Sequence, residues 1–109
     1  MNQTALFLLK AREIVKSQGL VLVPRDQNIE FLASMGWSTH DLELLILGLE
    51  ARDCFDGPEP DRDSRFAGEW TVAEFSPVAN GKTLYLKISI RLAPDACKCL
   101  SVKLYRERP

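Results

Sequence analysis

The chain is poor in the residues on which most active sites are built. A single histidine, His40, stands among 109 residues, so no histidine pair is present to act as acid and base, and His-rich metal sites are excluded. Cysteine is nearly as scarce: Cys54, Cys97 and Cys99 form an odd set, and the last two lie one residue apart on one predicted strand. That is not a disulfide framework, and three cysteines fall short of the four ligands of a structural zinc site. Apolar runs extend over only a few residues, and the N-terminus lacks the basic, apolar and small-residue sequence of a signal peptide, so a cytoplasmic protein without membrane association is expected. Glycine-rich phosphate loops and nucleophile motifs are missing too, which leaves small-molecule catalysis without support.

What remains is one domain, residues 1–109, whose 46% hydrophobic content can fill a single core. Net charge is only −1, yet residues 1–80 carry −6 and residues 81–109 carry +5. A positive field concentrated in the last quarter of an acidic protein can still bind an anionic partner, because screening keeps distant charges from cancelling it.

Helical signals come first and strand signals last. Residues 4–17 place Phe7, Leu8, Ala11, Ile14 and Val15 on one stripe, with Lys10, Arg12, Glu13 and Lys16 outside it, and Gly19 ends the helix. Leu20–Val23, closed by Pro24, reads as an edge strand or extended connector. Ile29, Leu32 and Met35 give a second helix over 26–35 that stops at Gly36. The third begins at Ser38, with Asp41 completing a capping box, Trp37 and Leu42 forming a staple, and Leu42, Leu45, Ile46 and Leu49 buried. His40 falls in its first turn as a surface residue. Residues 53–64 hold four Asp and one Glu among Gly and Pro, and predict a solvated loop, since the spacing does not fit a calcium loop. Strands are expected at Glu69–Phe75, Thr83–Leu92 and Cys97–Tyr105, with Asn80-Gly81 as a hairpin turn. The predicted class is α+β, with N-terminal helices on one face of a small antiparallel sheet formed mainly by the C-terminal half.

The strand after that turn alternates without a break. Leu84, Leu86, Ile88 and Ile90 point one way, and Tyr85, Lys87, Ser89 and Arg91 the other. In the last strand Leu100, Val102 and Leu104 oppose Cys99, Ser101, Lys103 and Tyr105. Antiparallel pairing with the apolar faces toward the helices would bring Tyr85, Lys87 and Lys103 onto one surface. Two cations and an aromatic plane suit an RNA site: the cations neutralise phosphate, and an unstacked base can rest on the ring.

From about Asn28 to Tyr105 the order of motifs resembles the MqsR family of bacterial toxins, the motility quorum-sensing regulator type of mRNA interferase. The likeness is carried by the helix leading into DCFDGPEPD, the Trp-containing strand, YLK at Tyr85–Lys87 and the terminal LSVK. It implies a RelE-like toxin that cleaves mRNA and is silenced by a cognate antitoxin, itself zinc-binding and helix-turn-helix in type. Tyr85, Lys87 and Lys103 match the family's catalytic positions. The chain departs from the family at Asp56, where an active-site Lys is expected, and at Thr71, where a Gln follows the strand Trp. Trp70, Thr71 and Arg91 are the candidates for further RNA contact.

A ribonuclease that works without metal needs a base for the 2′-hydroxyl, cations for the developing phosphorane and a proton for the leaving oxygen. Lys87 and Lys103 are the expected cations, with Tyr85 stacking on a base or relaying a proton; no cofactor or metal is expected. The alternative from another class is a non-catalytic RNA- or protein-binding module of the same fold.

Overall fold

A computed structural model describes residues 2–105. Three α-helices precede most of the sheet: α1 Gln3–Gln18, α2 Asp26–Met35 and α3 Thr39–Leu47, with β1 Val21–Leu22 between the first two. After a 3-10 turn at Ala51–Asp53 come β2 Cys54–Pro60, β3 Trp70–Phe75, β4 Val78–Ala79, β5 Lys82–Leu92 and β6 Asp95–Leu104.

The starts of α1 and α3 follow local chemistry. Asn2 caps α1 by accepting the Ala5 N–H at 2.7 Å, and α1 buries the expected Phe7, Leu8, Ala11, Ile14 and Val15. Ser38 and Asp41 close a reciprocal capping box on α3, which satisfies backbone donors that have no partner within the helix. Arg12, expected outside the packed stripe, reaches across and donates to the Leu49 carbonyl just beyond α3. A cation there also meets the negative end of the α3 dipole.

The strand order is β1-β6-β5-β3-β2, with β4 paired to β5. The sheet is mixed rather than purely antiparallel, because β1 runs parallel to β6, Val21 opposite Lys98 and Leu22 opposite Cys99. Most of the chain separates these two strands, so no tight turn dictates their direction. Asn80 and Gly81, both at positive φ, form the expected turn, which closes the short β4–β5 hairpin. Leu84, Leu86, Ile88 and Ile90 of β5 join Ala73, Phe75, Cys97, Cys99 and Val102 and the buried helix residues in one core. The helices therefore pack against one face of the sheet, while on the other Trp70, Val72, Ser89 and Ser101 are themselves buried and Gln27 of α2 donates to the Ser101 hydroxyl at 2.9 Å.

Two expectations fail in an instructive way. The segment 53–64 is not wholly a loop: Cys54–Pro60 is an edge strand antiparallel to β3, interrupted by irregularities on either side of Asp56. An edge position tolerates Pro58 and Pro60, whose missing donors cost no ladder bond on the open side. Gly57, at φ +86, lies so close to β3 that a Cβ would sit 2.6 Å from the Val72 carbonyl oxygen; only glycine permits that approach.

β6 also departs from its expected regular alternation. Lys87 faces Ser101 but Ile88 faces Cys99, so Leu100 is an extra residue, a bulge that exchanges the two faces of the strand at that point. Cys97 and Cys99 consequently lie in the core rather than with Lys103, and Lys98 joins the opposite, outer face. The bulge is held by Asn28. Its Nδ2 donates to the Val23 carbonyl at 2.9 Å and the Leu100 carbonyl at 3.2 Å, while its Oδ1 accepts the Val102 N–H at 3.0 Å. This explains why α2 buries Asn28, Phe31 and Leu32 and leaves Ile29, assigned to its apolar stripe, 52% exposed.

Asn28→Ala leaves a buried carbonyl and a buried N–H without partners, so it is expected to cost about 2–4 kcal/mol. A lower urea midpoint at unchanged slope would show this; a midpoint equal to wild type would mean that the bulge needs no amide.

Candidate nucleic-acid interface

The outer face is assembled from alternate residues of four strands. β5 contributes Tyr85, Lys87, Ser89 and Arg91; across one border Tyr85 stands opposite Lys103, Lys87 opposite Ser101 and Ser89 opposite Lys98. Across the other, Lys87 faces Glu74, Ser89 faces Val72 and Arg91 faces Trp70. β2 adds Asp56 opposite Glu74. The expected meeting of Tyr85, Lys87 and Lys103 on one surface is thus present, with the Lys103 ammonium 5.0 Å from the centre of the Tyr85 ring.

Two features of this end of the face were not anticipated. Glu74 accepts a 2.5 Å hydrogen bond from the Tyr85 hydroxyl. Partial burial, and then this bond to an anion, hold the phenol protonated well above its ordinary value near 10. Phe55, 47% exposed, packs 6.0 Å from the Tyr85 ring centre and 5.8 Å from that of Tyr105. Three aromatic rings from three segments therefore form one cluster, with Lys103 over the Tyr85 ring. The alternation of TVAEF contained a signal for Glu74, but Phe55 was hidden by the Gly/Pro-rich composition around it.

Acidic groups shape the same region. Asp56, where the family's lysine is expected, accepts from Arg62 at 3.4 Å, and Glu59 accepts from the same guanidinium at 3.1 Å. Together with Val72, Glu74 and Lys87 they line a small cleft. Arg62 thus places a cation beside Asp56, shared between two carboxylates.

The remaining candidates separate. Thr71 faces Ile90, a core residue, and lines a groove with Leu6, Phe7 and Pro58 on the helix side. It lies on the wrong face of the sheet to join Tyr85, as strand alternation requires. Arg91 and Trp70 do lie on the outer face, but Trp70 is only 5% exposed. Its ring is covered by the Lys98 ammonium, 3.8 Å from its centre, and the Arg91 guanidinium, at 4.8 Å, so it has no open face for a base. Arg106 and Arg108, part of the positive C-terminal balance, lie outside the described residues. His40 is exposed beside Glu43, 3.4 Å away, far in sequence and fold from this surface. Among the described residues, no group of three His, Cys, Asp or Glu side chains is placed to hold a metal ion, and no helix is long and apolar enough to cross a membrane.

Comparison of the chain with protein-family models, curated proteins and solved structures finds no match. The geometry of the outer face is what any functional reading must rest on.

Because the folded state favours the neutral Tyr85 phenol, the stability this contributes is complete below pH 10 and is lost as pH rises toward the higher folded-state value. In a Tyr105→Phe background, ultraviolet titration should show Tyr85 ionising above pH 10, and Glu74→Gln should shift that transition downward. An unshifted transition would mean that the carboxylate does not hold the phenol.

Proposed function

We propose that this protein is a single-stranded-RNA endonuclease of the toxin type, a RelE-like mRNA interferase resembling the MqsR family, working without a metal on the outer face of its sheet. The observation that carries this reading is the hydrogen-bonded Tyr85–Glu74 pair with Lys103 over the phenol ring and Lys87 opposite the carboxylate. Acid, base and cations for phosphoryl transfer occur there together without histidine.

In this reading a scissile phosphate lies against Lys87 and Lys103, which neutralise the charge of the phosphorane. Glu74 accepts the proton of the 2′-hydroxyl as that oxygen attacks phosphorus. The bond to the 5′-oxygen breaks, and Tyr85 donates its proton to that leaving group. The products are a 2′,3′-cyclic phosphate and a 5′-hydroxyl; the proton on Glu74 then returns to the Tyr85 phenolate along their hydrogen bond, which restores the starting pair. Phe55 and Tyr105 offer flanking bases an aromatic surface. A cognate antitoxin is the partner implied by the resemblance.

The test is cleavage of a long unstructured RNA in EDTA with end mapping. Cuts bearing 2′,3′-cyclic phosphate ends are expected, with Tyr85→Phe, Glu74→Gln and Lys103→Ala each slower by about 10²–10⁴ in protein that circular dichroism shows to be folded. Folded wild-type protein that binds RNA but leaves it intact, with or without ribosomes, would replace this reading by that of a binding module.

A further inference from the structure

At the other end of the outer face from Tyr85, two cations are fixed without a carboxylate. Lys98 lies 3.8 Å from the centre of the Trp70 ring and 5.8 Å from that of Phe66; Arg91 lies 4.8 Å from the Trp70 centre and donates through Nε to the Pro94 carbonyl at 2.9 Å. Neither forms an ion pair with a carboxylate among the described residues, whereas Arg52, Arg62 and Arg65 all do. Directly opposite Lys98 stands Ser89, 2% exposed, whose hydroxyl has no hydrogen-bond partner within the described protein.

A surface lysine or arginine normally retains most of its rotamer freedom and loses it on binding an anion. Here the aromatic ring restricts that freedom beforehand while leaving the charge unneutralised, since a ring quadrupole attracts a cation without cancelling its net charge. Both groups are half-buried, which strengthens their field over that of fully solvated lysines. They sit on the same strands and the same face as the Tyr85 site: Lys98 stands opposite Ser89, two residues or about 7 Å beyond Lys87 along β5, and Arg91 is four residues or about 13 Å beyond it. The pair therefore lies beside the phosphate held by Lys87 and not at it.

We propose that Lys98 and Arg91, held by Trp70, form a second phosphate clamp that binds the backbone of single-stranded RNA at phosphates flanking the cleaved bond. The clamp rests on the RNA reading of this face and extends it: Trp70 serves as a platform for cations rather than for a base, and Lys98, placed outward only by the bulge at Leu100, becomes an RNA contact. Substrates long enough to span both ends gain affinity, and shorter ones are cut without the clamp.

The experiment uses Lys98→Met and Arg91→Met, which keep an apolar stem available to cover Trp70 and remove one charge each. Binding of a fluorescent unstructured RNA is measured between 50 mM and 1 M salt alongside the urea midpoint. Each variant should reduce the salt slope by about 0.7, the loss of one single-strand phosphate contact; over the twentyfold range of salt this is about eightfold in affinity at 50 mM. A dinucleotide, whose single phosphate is held by Lys87 and Lys103, should be bound equally by wild type and both variants. If slope and affinity are unchanged while Lys103→Met reduces both, Lys98 and Arg91 merely cover Trp70 and the clamp is overturned with the RNA reading intact. If wild type shows no salt-dependent RNA binding at any length, both fail. If polyglutamate of matched charge shows the slope changes and RNA does not, the clamp is overturned in favour of an acidic polypeptide.

Discussion

The amide of Asn28 is the contact on which the outer face depends. A strand with an extra residue leaves backbone groups off the regular ladder, and at Leu100 and Val102 these groups are taken up by one buried side chain from α2. With that satisfied, β6 can change face at Leu100: the cysteines before it pack into the core with Ile88 and Ile90, and Lys103 after it faces outward beside Tyr85. A regular strand could do only one of these. Keeping Lys103 outward without the bulge would turn Cys97 and Cys99 outward and drive Lys98 into the apolar core, where an unpaired ammonium is strongly disfavoured.

The face this produces has two ends with different chemistry. Around Tyr85, cations and carboxylates are interleaved: Glu74 is opposite Lys87, Asp56 is opposite Glu74, and Arg62 joins Asp56 to Glu59. Such a mixture suits proton transfer and charge stabilisation more than simple anion attraction. Around Trp70, cations stand without carboxylates over an aromatic ring, an arrangement suited to holding charge in place. Arg62, from the loop after β2, adds a further cation held between two carboxylates.

Much of the site could be read from alternation. Tyr85, Lys87 and Lys103 share a surface because period-two geometry and a core on one side leave few other outcomes. Glu74 follows the same rule one strand away, but only the register set it against Lys87 and brought it to Tyr85. Thr71 illustrates the opposite error: its interest came from its place after a tryptophan in a motif, whereas alternation alone assigns it to the face opposite Trp70.

By itself the sequence determined the three helices, the capping box of α3, the glycine ends of α1 and α2, the apolar stripe of β5, the Asn80-Gly81 turn and the α+β class, because each follows from local periodicity or from backbone groups satisfied within a few residues. Tertiary structure decided the parallel pairing of β1 with β6, the conversion of Cys54–Pro60 into an edge strand, the bulge at Leu100 and the burial of Asn28. Each of these depends on hydrogen bonds between segments far apart in the chain, and no local pattern records which distant group will accept them.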